Sequence, residues 1–164
     1  MFTREKATIF WFRRDLRLYD NIGLSKALEE KHPVLPIFIF DNNILEDLEA
    51  RDDSRVEFLY NRISGMHHTL KEEGSGILIL IGDPIDVFKK LSSELNISSV
   101  YTNRDYEPYA KRRDSKIGEY LRSAGIEFYD FKDQVIFEED EVVKDDGLPY
   151  HVFTPYKRNL TGNR

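Results

Sequence analysis

The sequence predicts an α/β protein: a Rossmann-like three-layer sandwich around a five-stranded parallel sheet of order 3-2-1-4-5. Three observations carry that expectation. Short apolar runs alternate with amphipathic stretches along the chain, the pattern of βαβ units. The first run, Ala7 to Phe12, is β-rich and uninterrupted, as a central strand covered on both faces must be. Right-handed crossovers then restrict five strands and four helices to a few strand orders, and 3-2-1-4-5 is the one expected.

The elements follow in order. After the first strand comes "YDN", where Asp20 is placed to cap a helix carrying Leu24, Ala27 and Leu28 on one side. "HPVLPIFIFD" reads as the second strand and ends at Asp41. From Ser54, the positions Val56, Leu59, Ile63, Met66 and Leu70 step by three and four, a helical stripe that Gly74 and Gly76 stop. "GILILIGDP" is a third strand, and Pro84 sits where the first turn of the next helix tolerates it. That helix presents Ile85, Phe88, Leu91 and Leu95. "SVYTNRDYEP" gives a fourth strand, a charged helix spans about Pro108 to Ala124 with Gly125 as its stop, and "IEFYDF" is the fifth strand. Residues 1–133 thus form one α/β unit. Residues 134–164 change character, with short extended pieces, a turn at Asp146-Gly147 and a Pro-punctuated end.

Bulk properties narrow the function. A chain of 164 residues has room for one domain with a real core. No run approaches the ~20 apolar residues of a membrane span and no signal-peptide layout opens the chain, so a cytoplasmic protein without membrane contact is expected. The absence of cysteine excludes disulfides, thiolate catalysis and cysteine-ligated metals. A net charge of -6 argues against this chain gripping a nucleic-acid backbone by itself. His67 and His68 are adjacent on a helix, point about 100° apart and cannot chelate one ion together, so no metal site is expected. "GDP" lacks both the Walker lysine and the Gly-x-Gly-x-x-Gly fingerprint of phosphate loops.

Ligands of such sheets sit outside the carboxyl ends of the strands, where the strand order reverses. Arg13, Arg14 and Asp15 follow the first strand, Asp41 ends the second, and Asn103, Arg104 and Asp105 end the fourth, so one edge gathers polar groups from three strands. Asp15 and Arg17 suit a loop-holding ion pair equally well. The basic run Lys111, Arg112, Arg113 is interrupted by Asp114 and Glu119 and reads as a solvated helix face.

"WFRRDLRLYDN", "GDPIDVFKKL", "NRDYEPYAKRRD" and "GLPYHVFTPYKRN", in this order and at these separations, closely resemble the N-terminal α/β domain of the DNA photolyase and cryptochrome family. The resemblance covers essentially the whole chain. It implies light-driven repair of cyclobutane pyrimidine dimers in DNA: a reduced flavin donates an electron to the dimer, whose ring splits and returns it. It further implies that "FTPY" leads through a linker into a helical domain, outside this chain, that binds FAD and the lesion. This chain then carries no catalytic residue and is inactive alone, while the surface near "VFTPY" is a candidate for self-association. The α/β domain's share is an antenna pigment, a folate, a deazaflavin or a flavin. For that pigment the resemblance picks out Arg13, Asp41 and Arg55, with Asn42, Asn43, Arg51 and Asp105 as neighbours. Folate-type members carry an Asn-Glu pair where this sequence has Tyr109-Ala110, and a histidine in the second-strand loop where "LEARDD" has none, so a deazaflavin or flavin is favoured over folate. The alternatives are a cryptochrome-type photoreceptor domain and a free-standing nucleotide-binding α/β module.

Overall fold

A computed structural model describes residues 5–46, 53–137, 141–144 and 146–162, the last with side chains to Arg158. Five strands, β1 (Lys6–Phe12), β2 (Val34–Asp41), β3 (Leu78–Gly82), β4 (Asn96–Asn103) and β5 (Glu127–Phe131), form one parallel sheet in the order β3-β2-β1-β4-β5, as expected. The connecting helices are α1 (Ile22–Leu28), α2 (Asn42–Leu45), α3 (Ser54–Glu72), α4 (Pro84–Glu94) and α5 (Pro108–Ser123); α6 (Phe153–Gly162) follows β5 after a long irregular stretch. That last helix lies in a segment the sequence reads as extended. "FTPY" places its proline in the helix's first turn, where a missing N–H costs nothing.

β1 is the axis of the molecule. Its side chains alternate between two cores, as the period of a strand requires. Ile9 and Trp11 pack with Ile37, Ile39, Phe88, Leu91, Ile117 and Leu121, while Phe10 and Phe12 pack with Leu24, Ala27, Phe38, Ile63 and Met66. The first core therefore joins the sheet to α4 and α5, the second to α1 and α3. The absence of polar alternation in Ala7 to Phe12 follows from having an apolar layer on each side.

Helix starts are set by side-chain caps. Asp41, Asp53 and Asp83 accept the N–H two residues on at the starts of α2, α3 and α4. The expected cap of α1, Asp20, is not the one used: Asn21 accepts the Leu24 N–H, and Asp20 takes a left-handed φ of 52°. Leu28 ends α1 too early to reach the core and is exposed. In α3 only Ile63 and Met66 of the apolar stripe are fully buried. Val56 and Leu59, nearer its start, line a cavity instead.

The reversal of strand order between β1 and β4 is filled by the protein itself. The Asn103 amide donates to Asp15 Oδ2 at 2.6 Å and to Asn21 Oδ1 at 2.8 Å, its oxygen accepts the Gly23 N–H at 2.9 Å, and Asp15 also accepts the Arg13 N–H. Asp15, Asn21 and Asn103 are all at most 3% exposed. Asp15 is therefore a loop-holding group, although its partners are asparagines; Arg17 pairs with Asp133 instead. Every buried polar group in this plug has a partner, so a ligand has no call on it.

The plug explains two glycines with opposite roles. A Cβ on Gly23 would stand 2.5 Å from Asn103 Oδ1, whereas one on Gly65, in the exposed middle of α3, meets nothing within 4 Å. Gly23→Ala should cost roughly 1–3 kcal/mol by overpacking, and Gly65→Ala should add about 0.5–1 kcal/mol through helix propensity. Urea unfolding of both variants checks the signs, and equal effects would contradict the plug.

Candidate functional site

Beside the plug, on the β2 side of β1, lies a cavity of about 530 Å³. Its walls come from the carboxyl ends of β1 and β2, the first turns of α3 and α5, and the loop after β4. Trp11, Phe38, Ile44, Val56, Phe58, Leu59 and Ala110 make most of it apolar. Volume and lining suit a flat organic molecule held by a few polar groups.

Those polar groups sit at the buried end. Trp11 lies on β1, and Arg13, two residues later and just past the strand end, returns to the same side. Tyr109 and Arg113 are four apart on α5 and share a face. Both guanidiniums lie over the Trp11 ring, with Cζ 5.1 Å (Arg13) and 4.8 Å (Arg113) from its centroid, within cation–π range. Asp114 accepts from both arginines, from Arg13 Nη1 through Oδ2 and from Arg113 Nε through Oδ1. Asp41 accepts from the Tyr109 hydroxyl at 2.7 Å and lies 3.5 Å from Arg113 Nη1. The side chains of Arg13, Arg113 and Asp41 are 5%, 9% and 4% exposed, so this is a buried four-charge cluster.

The cluster is incomplete. Nε and Nη2 of Arg13 and Nη2 of Arg113 are buried and have no hydrogen-bond partner among the described residues. Arg113 Nη2 is 3.0 Å from Asp114 Oδ1, but Nε of the same arginine makes the aligned bond to that oxygen. Buried donors without acceptors are costly, and the two arginines that carry them stand in the wall of the cavity.

At the mouth Arg14, Arg55 and Glu107 are exposed, and the charges pair with one another. Arg14 reaches Glu107 at 2.7 Å and Asp105 at 3.8 Å, and Arg55 is bonded to Asp53, holding that carboxyl down to about 2. The Tyr109 hydroxyl is pushed up to about 12, first by burial and then by its bond to the Asp41 carboxylate.

The structure brings Arg13, Asp41, Arg55 and Asp105 together around the cavity. It does not place Asn42 or Asn43 there. Asn42 is exposed at the start of α2, and the Asn43 amide ties the ends of β2 and β3 by bonding Asp41 at 3.0 Å and Asp83 at 3.1 Å. Arg51 lies outside the described residues. Arg113, expected on a solvated face, is instead buried in the cluster, because α5 turns that position toward Trp11 while Lys111 and Arg112 face outward. His67 accepts the Ile77 N–H and His68 faces Glu72 at the surface, with no metal-holding cluster among the described residues. No helix among those residues is long and apolar enough to cross a membrane.

The raised Tyr109 group has a pH consequence. Its hydroxyl is harder to ionise folded than unfolded, where it titrates near 10, so the stability it contributes is complete below pH ~10 and is lost as pH rises toward about 12. Unfolding of wild type and Tyr109→Phe across that range should show a steeper alkaline loss in wild type. Parallel pH profiles would contradict the Tyr109–Asp41 bond.

Comparison with known proteins agrees with the fold. The family model "DNA photolyase" matches residues 8–163. A deoxyribodipyrimidine photo-lyase of a Synechococcus strain is 34% identical over 151 residues, 92% of this chain and 31% of the relative. The crystal structure of a class III photolyase from Agrobacterium tumefaciens superposes with a TM-score of 0.84 at 28% identity, over 99% of this chain and 33% of that one. An archaeal photolyase from Sulfolobus tokodaii, solved with two FAD molecules and described as implying a novel light-harvesting cofactor, gives 0.80 at 29% identity over 95% of this chain and 35% of its own. The 164 residues span about a third of the length of these relatives. The chain belongs to the DNA photolyase family, to whose N-terminal α/β domain it corresponds.

Proposed function

We propose that this chain is the pigment-holding α/β unit of a deoxyribodipyrimidine photo-lyase, with a flavin-type antenna in the cavity between β1, β2, α3 and α5. The observation that carries the reading is the set of unpaired N–H groups of Arg13 and Arg113 at the buried end of an otherwise apolar slot. The pyrimidine edge of a flavin ring offers carbonyl and ring-nitrogen acceptors to such donors, and the apolar walls take its flat faces. The second FAD of the Sulfolobus tokodaii photolyase, in a fold of the same shape, supports a flavin. Tyr109 and Ala110, both in the wall, stand where folate-type relatives carry Asn and Glu, which favours a flavin or deazaflavin over folate.

When bound, the antenna supplies light absorption and passes its excitation on. The protein's own part is to bind and orient it: Arg13 and Arg113 hold one edge, Trp11 and Phe58 flank the slot, and Asp41 with Tyr109 bounds its polar corner. Electron transfer to a pyrimidine dimer in DNA belongs, in this reading, to FAD in a helical domain beyond residues 1–164. The cryptochrome alternative shares this α/β unit and differs in that other domain.

Trp11 is the only tryptophan in the chain and it lines the cavity, so its fluorescence reports occupancy directly. Titration with flavin mononucleotide, a deazaflavin and folate should show the first two binding more tightly than folate. Arg13→Ala should weaken them about ten- to a hundredfold, the worth of a charge-assisted hydrogen bond, and Arg55→Ala, at the exposed rim, much less. Tighter folate binding that ignores Arg13 would overturn both the pocket and the pigment class.

A further inference from the structure

We infer that Asp114, a residue outside the cavity wall, sets the charge class of the ligand group that meets the arginines: by neutralising the arginine pair from behind, it makes that end of the site take an uncharged ring edge with carbonyl-type acceptors and reject an anionic group there. The inference rests on the antenna reading of the same cavity.

Two buried arginines would ordinarily recognise a carboxylate or phosphate, because the guanidinium fork matches two anionic oxygens. Here that role is already filled. Asp114 touches both guanidiniums, and Asp41 stands by Arg113 and accepts from Tyr109, so two cations face two carboxylates at the buried end. At the mouth two cations, Arg14 and Arg55, face three carboxylates, Glu107, Asp105 and Asp53, so the charge there leans negative. An anion entering the slot would bring an unbalanced charge into a desolvated site and meet the Asp41 carboxylate. The remaining N–H groups still need acceptors, which a neutral ring edge supplies without adding charge. Asp114 does not line the cavity, so it acts through Arg13 and Arg113 as a positioning residue and not by touching the ligand.

The test uses lumiflavin as the neutral ring, with formate as the anion and sodium chloride at matched ionic strength as control, all read by Trp11 fluorescence. In the wild type, formate should leave the apparent lumiflavin Kd unchanged relative to chloride. In Asp114→Asn, which leaves one uncompensated positive charge, formate should raise that Kd several-fold, and Asp114→Glu should restore indifference. A purely structural role would weaken lumiflavin binding without creating formate sensitivity, and that result overturns the inference. Formate competition in wild type overturns it with no variant required. Failure of lumiflavin to bind wild type is a different outcome: it removes the antenna reading, and the inference falls with it.

Discussion

Two guanidiniums buried at the carboxyl edge of the sheet constrain everything around them. A charge removed from water must be paired, and breaking such a pair typically costs about 3–5 kcal/mol. Arg13 is carried there by the chain leaving β1, and Arg113 by α5; their carboxylates are Asp41 at the end of β2 and Asp114, the next residue of α5. The cluster thus locks the ends of β1, β2 and α5 at one spacing. It also gives Trp11 a cationic lid and leaves three guanidinium nitrogens buried without a hydrogen-bond partner among the described residues.

That arrangement displaces the ligand site from the place this architecture usually offers it. The crevice between β1 and β4 is closed by Asp15, Asn21, Asn103 and Gly23, a network that satisfies its own hydrogen bonds and presses α1 onto the sheet. The open volume lies one strand over, between the ends of β1 and β2 and the start of α3. The first two turns of α3 therefore turn Val56 and Leu59 to that slot, Leu59 also touching the core, while Ile63 and Met66 are fully buried in it.

The sheet and its order were legible because each strand is a dense apolar run and each helix a stepped stripe; both are local signals. The start of α4 was legible from Pro84, whereas Asp20 and Asn21 are adjacent capping residues, and a distant partner, Asn103, holds Asn21 in the cap position. Arg13, Asp41 and Asp105 could be placed from strand ends alone. Arg113 could not be read from the charge run around it, since burial depends on how α5 is rotated against the sheet, yet its spacing of four from Tyr109 was a usable clue. Asn42 and Asn43 lie beside Asp41 in sequence, but neither lines the cavity: Asn42 is exposed, and Asn43 ties the ends of β2 and β3.

Nε and Nη2 of Arg13 are buried without a hydrogen-bond partner among the described residues, and the proposed flavin ring would supply their acceptors. Nitrogen-15 NMR of the arginine Nε–H groups, with Arg13→Lys assigning the signal, reads that donor directly. The account predicts that the Arg13 Nε–H resonance moves and gains protection from solvent exchange as a flavin saturates the protein, while that of the exposed Arg55 changes little. A flavin that binds and leaves the Arg13 signal where it was would contradict the account.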